Sequence, residues 1–149
     1  MISIVHTDPC DSDARRLIDA SEAYLSAIYP PEERFALSVD ALVEEDVWFV
    51  LARQEKRAIG CGGLARYPGY GELKRIFVDP AARGQGVGHR ILDALEAQAR
   101  AEDLPCMRLE TGADLEASVA LYKSRGYRPR PAFGDYPENG ASLFMEKPL

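Results

Sequence analysis

The run Arg83-Gly84-Gln85-Gly86-Val87-Gly88 carries the residue types best suited to chemistry in this chain. Three glycines remove side chains where the backbone must come close to something, and a helix opening here offers amide hydrogens without partners in the chain. With the positive end of the helix dipole behind them, those amides favour an anion such as a phosphate or diphosphate. Arg83 adds a permanent positive charge with a planar donor fork. The spacing is neither the G-x-G-x-x-G of dinucleotide sites nor the G-x-x-x-x-G-K-[ST] of P-loops, so neither ligand is indicated. A glycine-rich turn without a ligand is the alternative, but glycine at a helix opening costs stability that a purely structural turn would avoid.

The elements that must position this run follow from hydrophobic patterning. Leu73, Ile76, Phe77 and Val78 make a short β-favouring segment that Asp79-Pro80 stops. Val87, Ile91, Leu92, Leu95 and Ala99 recur at three- and four-residue steps, the spacing of one buried helical stripe. Upstream, Ile2 to Val5 reads as a strand. Asp11-Ser12-Asp13 reads as a capped helix start, with Leu17, Ile18, Leu25 and Ile28 as its apolar stripe until Tyr29-Pro30-Pro31 ends it. Ser38 to Glu45 reads as a shorter helix with Val39, Leu42 and Val43 inward.

Residues 47–53 and 58–66 flank a polar Gln54-Glu55-Lys56-Arg57 turn, an antiparallel hairpin, and Pro68-Gly69-Tyr70-Gly71 leads into the strand at 72–78. The doublet Gly62-Gly63 marks either a bulge or plain strand irregularity. Downstream come a strand at 105–111 and a helix at 115–124, with Leu115, Val119 and Tyr122 at helical spacing and Gly126 as a left-handed cap. A proline- and glycine-spaced loop over 129–140 and a last strand at 142–146 follow. This succession implies an α/β (α+β) fold, a mixed sheet with helices on both faces.

A length of 149 residues with 46% hydrophobic residues suits one domain, 1–149, with a substantial core. The balance of 18 Lys+Arg against 24 Asp+Glu leaves a net charge of -6, which opposes binding to nucleic acid or anionic lipid and suits a small or peptide-borne cationic amine. Solvated surface is the plainer reading of the same charges. Cys10, Cys61 and Cys106 are widely spaced, without a C-x-x-C and with only His6 and His89 beside them, so no metal is expected. The sequence shows neither a secretory leader nor an apolar run long enough to span a membrane, so reduced thiols in a cytoplasmic setting are expected.

Arg83-Gly84-Gln85-Gly86-Val87-Gly88 resembles the acetyl-CoA signature [RQ]-x-x-G-x-[GA] of the GNAT superfamily of N-acetyltransferases. Leu121-Tyr122-Lys123-Ser124-Arg125-Gly126-Tyr127 is similar to that family's later L-Y-x-x-x-G-[FY] helix and turn, and together the two cover most of the chain from Val47 to Met145. The resemblance implies the GNAT fold: a mixed, mostly antiparallel sheet of about six to seven strands, helices on both faces, and two adjacent parallel strands splayed around the pantetheine arm. Here those strands would be 72–78 and 107–111. It also implies acetyl transfer from acetyl-CoA to a primary amine of a small molecule or peptide by direct attack in a ternary complex, by a monomer or homodimer. A CoA-binding domain without catalysis, acting as a sensor or interaction module, is the alternative. An acceptor other than an amine and an unrelated phosphate-binding α/β protein are two further readings.

Acyl transfer needs a base for the amine, donors for the carbonyl oxygen, and an acid for the leaving thiolate. The resemblance puts Ile76, Phe77 and Val78 against the cofactor, with strand amides freed by a bulge. It puts Tyr122 as the acid, which suits a phenol that stays protonated at neutral pH. It puts Glu72 as the base, the alternative being a strand-edge glutamate paired with Lys74 or Arg66. Cofactor contacts extend over Arg83, Gly84, Gln85, Gly86, Val87, Gly88 and Ser118. Many members carry an asparagine and an alanine where this chain has Leu115 and Ser118, so the Ser118 hydroxyl is assigned the cofactor contact here, a local backbone bond being the alternative. Tyr24, Tyr29 and Glu110 are substrate-binding candidates, with Glu22, Asp135 and Tyr136 suited by charge or ring face to a cationic amine. Acceptor choice is expected in the first helices and the loop around Phe133-Gly134-Asp135-Tyr136.

Overall fold

The computed structural model describes residues 1–33 and 39–149. Its strands β1 (Ile2–Thr7), β2 (Trp48–Gln54), β3 (Arg57–Tyr67), β4 (Tyr70–Val78), β5 (Cys106–Gly112), β6 (Arg128–Arg130) and β7 (Ser142–Pro148) join one sheet. Its helices are α1 (Ser12–Ser26), α2 (Val39–Glu44), α3 (Val87–Ala101) and α4 (Glu116–Ser124). Strand order is β1-β2-β3-β4-β5-β7-β6, antiparallel throughout except for the parallel pair β4–β5. This is the mixed, mostly antiparallel sheet with helices on both faces that the sequence implies.

The two faces can be read along β2. Phe49 and Leu51 pack with Ala14, Leu17 and Ile18 of α1 and with Leu42, while Val50 and Ala52 pack with Val87, Ile91, Leu92, Leu95 and Ala99 of α3. Alternate residues of a strand face opposite sides, so a strand covered on both reads as a continuous apolar run. The α3 stripe is at most 2% exposed, and each such large apolar side chain contributes about 1.5–3 kcal/mol by leaving water.

Several local expectations change. The α1 stripe divides: Leu17 and Ile18 enter the core, whereas Leu25 is partly exposed and Ile28, beyond the end of the helix, is 45% exposed, because both line a cavity. In the shorter helix, Leu42 is buried but Val43 points to solvent, and Ser38 lies outside the described residues. The hairpin loop contracts to Glu55-Lys56, with Gln54 and Arg57 paired across it and Glu55 in the left-handed region at φ 58°. Pro129 and Arg130, expected within the proline- and glycine-spaced loop, form edge strand β6 with Arg128. Proline is tolerated there because an edge strand has one side unpaired.

The Gly62-Gly63 doublet does mark a bulge. Cys61 pairs with Phe77 but Gly63 pairs with Lys74, so Arg75 and Ile76 together oppose Gly62. Arg75 takes φ 53°, rare for a residue with a side chain. A Cβ on Gly62 would lie 2.6 Å from Ile76, so glycine makes the room. The bulge is tied down at both ends: the Cys61 thiol donates to the Arg75 carbonyl at 3.3 Å, and the buried Arg75 guanidinium pairs with Glu22 of α1 at 2.7 Å.

Candidate active site

Strands β4 and β5 pair at Gly71–Met107 and Glu72–Arg108 and then diverge. The bulge bends β4 away, and a cavity of about 620 Å³ opens between Leu73–Val78 on one side and Glu110–Gly112 on the other. The end of α1, the opening of α3 and helix α4 complete its walls. Its size falls within the ~300–1,000 Å³ typical of small-molecule sites.

One end is lined by Arg83, Gly84, Gly86, Val87, Gly88 and His89. Gly86 is the N-cap of α3 in the left-handed region (φ 77°) and provides no side-chain cap, so the first-turn amides are not capped from within. Gly84 is also left-handed, at φ 84°, and a Cβ on either glycine would meet nothing within 4 Å. The space in front of the turn is therefore open. Gly88 serves another purpose, since a Cβ there would lie 2.8 Å from a Leu121 methyl and force that side chain of α4 to shift. Gln85 turns away from the cavity to hydrogen-bond Gln54 at 3.0 Å. The Arg83 guanidinium lies 5.4 Å from the Tyr24 ring centre, which places Tyr24 at this anion-favouring end.

Ile76, Phe77, Val78 and Ser118 line the cavity. From Leu73 onward, the edge of β4 that faces β5 has no strand partner, so backbone donors are available along the wall.

The other end gathers titratable groups around Glu110. Burial pushes the Glu110 carboxyl above its ordinary pKa; a 2.6 Å hydrogen bond from Ser142 opposes this, the Glu72 charge adds to it, and Lys74 counters it. Tyr122 is 6% exposed and lines the cavity. Burial, reinforced by the Glu110 charge, holds its phenol well above the usual range. Tyr29 lines the cavity with its hydroxyl buried, and burial raises its pKa as well. Tyr136 also lines the cavity, its ring against Phe133 and Phe144.

Glu72 is 3% exposed and is not among the lining residues. It forms an ion pair with Lys74 at 2.8 Å and accepts a hydrogen bond from the Tyr136 hydroxyl. Lys74 in turn donates to the Tyr136 oxygen at 2.9 Å. Arg66 is engaged elsewhere, with Glu102 at 2.8 Å. Glu22 faces Arg75 rather than the cavity, and Asp135 is exposed outside it. Lys74 and His89 are lining residues that sequence reasoning did not select, although a lysine inside an apolar strand was the available signal for the first.

Among the described residues, no group of three or more His, Cys, Asp or Glu side chains is placed to hold a metal, and no helix is long and apolar enough to cross a membrane.

Comparison with known proteins agrees with this geometry. The model of the acetyltransferase (GNAT) family matches residues 14–127. An IAA acetyltransferase of Azospirillum brasilense is 39% identical over 150 residues, 99% of this chain and 98% of that protein. A Klebsiella pneumoniae structure described as an acyl-CoA N-acyltransferase superposes with a TM-score of 0.85 at 37% identity, covering 100% of this chain and 98% of the other. A GNAT family acetyltransferase from Elizabethkingia anophelis, solved with acetyl-CoA bound, superposes with a TM-score of 0.73 over 99% of this chain and 98% of that one. At 20% identity, that last likeness is one of fold alone. Splayed strands, a glycine-opened helix and a match over most of the chain converge: this protein belongs to the GNAT family of acetyltransferases, whose acyl donor is acetyl-CoA.

Proposed function

We propose that this protein transfers an acetyl group from acetyl-CoA to the primary amine of a small molecule. The observation that carries this reading is a single cavity running from the open amides of α3 to Tyr122 and Glu110. The site fits the coenzyme: the space before Gly84 and Gly86 is unfilled, and the unpaired edge of β4 continues from there toward the titratable groups.

Bound acetyl-CoA supplies an acetyl group activated as a thioester. The first-turn amides of α3, with Arg83, hold its diphosphate. Backbone amides on the open edge of β4, at Ile76 and Val78, orient the arm and stabilise negative charge on the carbonyl oxygen, while Phe77, whose amide faces β3, lines the wall. Glu110 accepts the proton that the acceptor amine must lose. Its raised pKa brings it nearer the operating pH, where a base is most effective. Tyr122 gives its proton to the departing sulfur, and its high pKa keeps that proton in place until then. Glu72, expected as the base, is placed behind Lys74 and Tyr136, and we assign it the task of holding both. Ser118 contacts the coenzyme from α4, whereas Gln85 braces the turn from outside.

Catalysis is favoured over coenzyme binding alone because an acid and a base face one cavity. The test is thiol release from acetyl-CoA over a panel of amines, with calorimetry of coenzyme binding in parallel. Release that depends on acceptor supports the reading. Tight binding without release for any amine refutes it in favour of a sensor. A reducing compartment such as the cytoplasm is the setting we propose, since Cys10, Cys61 and Cys106 are all free and burial pushes the Cys61 thiol up to about 12.

A further inference from the structure

Lys74 is the feature of the acceptor end that a receptor for simple amines does not need. Its side chain is 9% exposed and lines the cavity, while its counter-charge Glu72 is 3% exposed and set back from the wall. The pair is electrically balanced, yet of the two only Lys74 belongs to the cavity wall. An ammonium has three N–H donors. Glu72 and Tyr136 account for two of them, at 2.8 and 2.9 Å. Tyr136 cannot move to take a further role, because its hydroxyl already donates to Glu72 and its ring is packed against Phe133 and Phe144.

Glu110 lies close enough to feel both charges of the pair. One end of the cavity therefore presents a carboxylate for an amine and, beside it, an ammonium with a donor to spare. A second donor points the same way: the Tyr29 hydroxyl is buried, lines the same cavity and donates to no acceptor among the described residues. A buried donor left unmade is costly, so an acceptor group on a ligand is favoured there.

Resting on the function proposed above, we infer that the acceptor is a small free amino acid, its amine at Glu110 and its carboxylate taking the third N–H of Lys74. A polyamine would set a second positive charge against Lys74, and a peptide amine would bring no carboxylate near it. Recognition of both ends restricts the acceptor to molecules short enough to span from Glu110 to Lys74 inside the cavity.

The test measures thiol release from acetyl-CoA with glycine, alanine, phenylalanine and β-alanine, each beside its own amide, and with butylamine as a simple amine. Wild-type enzyme is expected to favour at least one free acid over its amide by roughly 10-fold or more in kcat/KM, the size of a charge-assisted hydrogen bond. Lys74→Met alone leaves Glu72 buried without its partner, so the variant used is Lys74→Met combined with Glu72→Gln. It is expected to erase the acid-over-amide preference. Amides used as well as acids by the wild type, or a preference unchanged in the double variant, overturns the inference. Acetylation of butylamine but of neither acids nor amides also overturns it while leaving the proposed reaction standing. Silence with every amine overturns both.

Discussion

Replacing Tyr122 by phenylalanine removes one oxygen and leaves the packing intact. The ring is 6% exposed and sits edge-on to Tyr127, with centres 5.8 Å apart, a contact that phenylalanine keeps. No hydrogen bond fixes the hydroxyl among the described residues, so the substitution opens no unpaired partner and should shift stability by less than about 1 kcal/mol. The hydroxyl is not part of the Arg83–Gly88 turn, so affinity for acetyl-CoA should stay near the wild-type value. What is lost is the proposed proton donor. General acid catalysis contributes typically ~10²–10⁴-fold, equivalent to about 3–5 kcal/mol of barrier, so kcat should fall by that factor. Single-turnover thiol release at saturating acetyl-CoA, with calorimetry and a thermal melt on the same preparation, reads all three quantities. Since burial holds the phenol far above neutrality, the loss should be constant across neutral pH. A phenylalanine variant that turns over like the wild type while binding and melting normally would mean that Tyr122 is only a wall of the cavity.

Glu110→Gln should cut kcat and remove the acidic limb of the pH–rate profile, which in the wild type rises through the raised Glu110 pKa, above the ~4.3 of an ordinary glutamate. The sign for stability is opposite: a carboxyl with a raised folded pKa favours the fold below its unfolded pKa and loses that contribution as pH rises, so the glutamine variant should melt no lower than wild type at neutral pH. A lowered melting point there would refute the assignment. Gly86→Asp should abolish coenzyme binding in calorimetry while the protein stays folded, because aspartate tolerates φ 77° better than most residues and caps the helix with its own carboxylate where the diphosphate belongs. Retained binding would move the anion elsewhere. Glu96, 1% exposed, accepts from Tyr127 at 2.9 Å and Lys147 at 2.7 Å and faces Arg125 at 3.2 Å. Burial alone would raise its pKa, but those partners bring it below the ordinary value. Its contribution is therefore present above the unfolded pKa and lost as pH falls through the folded one. Glu96→Ala should cost ~3 kcal/mol at neutral pH, less on acidification; a pH-independent difference in denaturation midpoints would contradict the ion network.

What could be read from sequence divides along a physical line. The anion end is made of backbone, and backbone chemistry is written in glycine: Gly84 and Gly86 both carry positive φ, and only their order and the following stripe were needed to find them. Gly88 shows the limit, since its missing side chain makes room for Leu121, thirty-three positions away, and nothing local separates that purpose from ligand approach. The bulge was half-visible. Gly62-Gly63 flagged a close approach, but its consequence lay on the partner strand, where Arg75 and Ile76 share one opposing residue. Likewise, Leu25 and Ile28 continue the α1 stripe yet face a cavity, because periodicity reports apolar surface and not what covers it.

The titratable end needed tertiary placement. Glu72 and Lys74 stand two apart on β4 and so share a face, which made their pairing legible; that Lys74 lies at the wall and Glu72 behind it was not. Glu110 comes from the strand that pairs in parallel with β4, and it reaches the cavity because the two strands separate immediately after Glu72 pairs with Arg108. One bulge therefore does two things at once. It opens the wall of the cavity, and it brings Glu110 rather than Glu72 to the lining. The proposed coenzyme half of the site rests on backbone geometry, at Gly84, Gly86 and the bulge in β4. The acceptor half hangs on side chains at the far end of the same gap, free to change without disturbing the first.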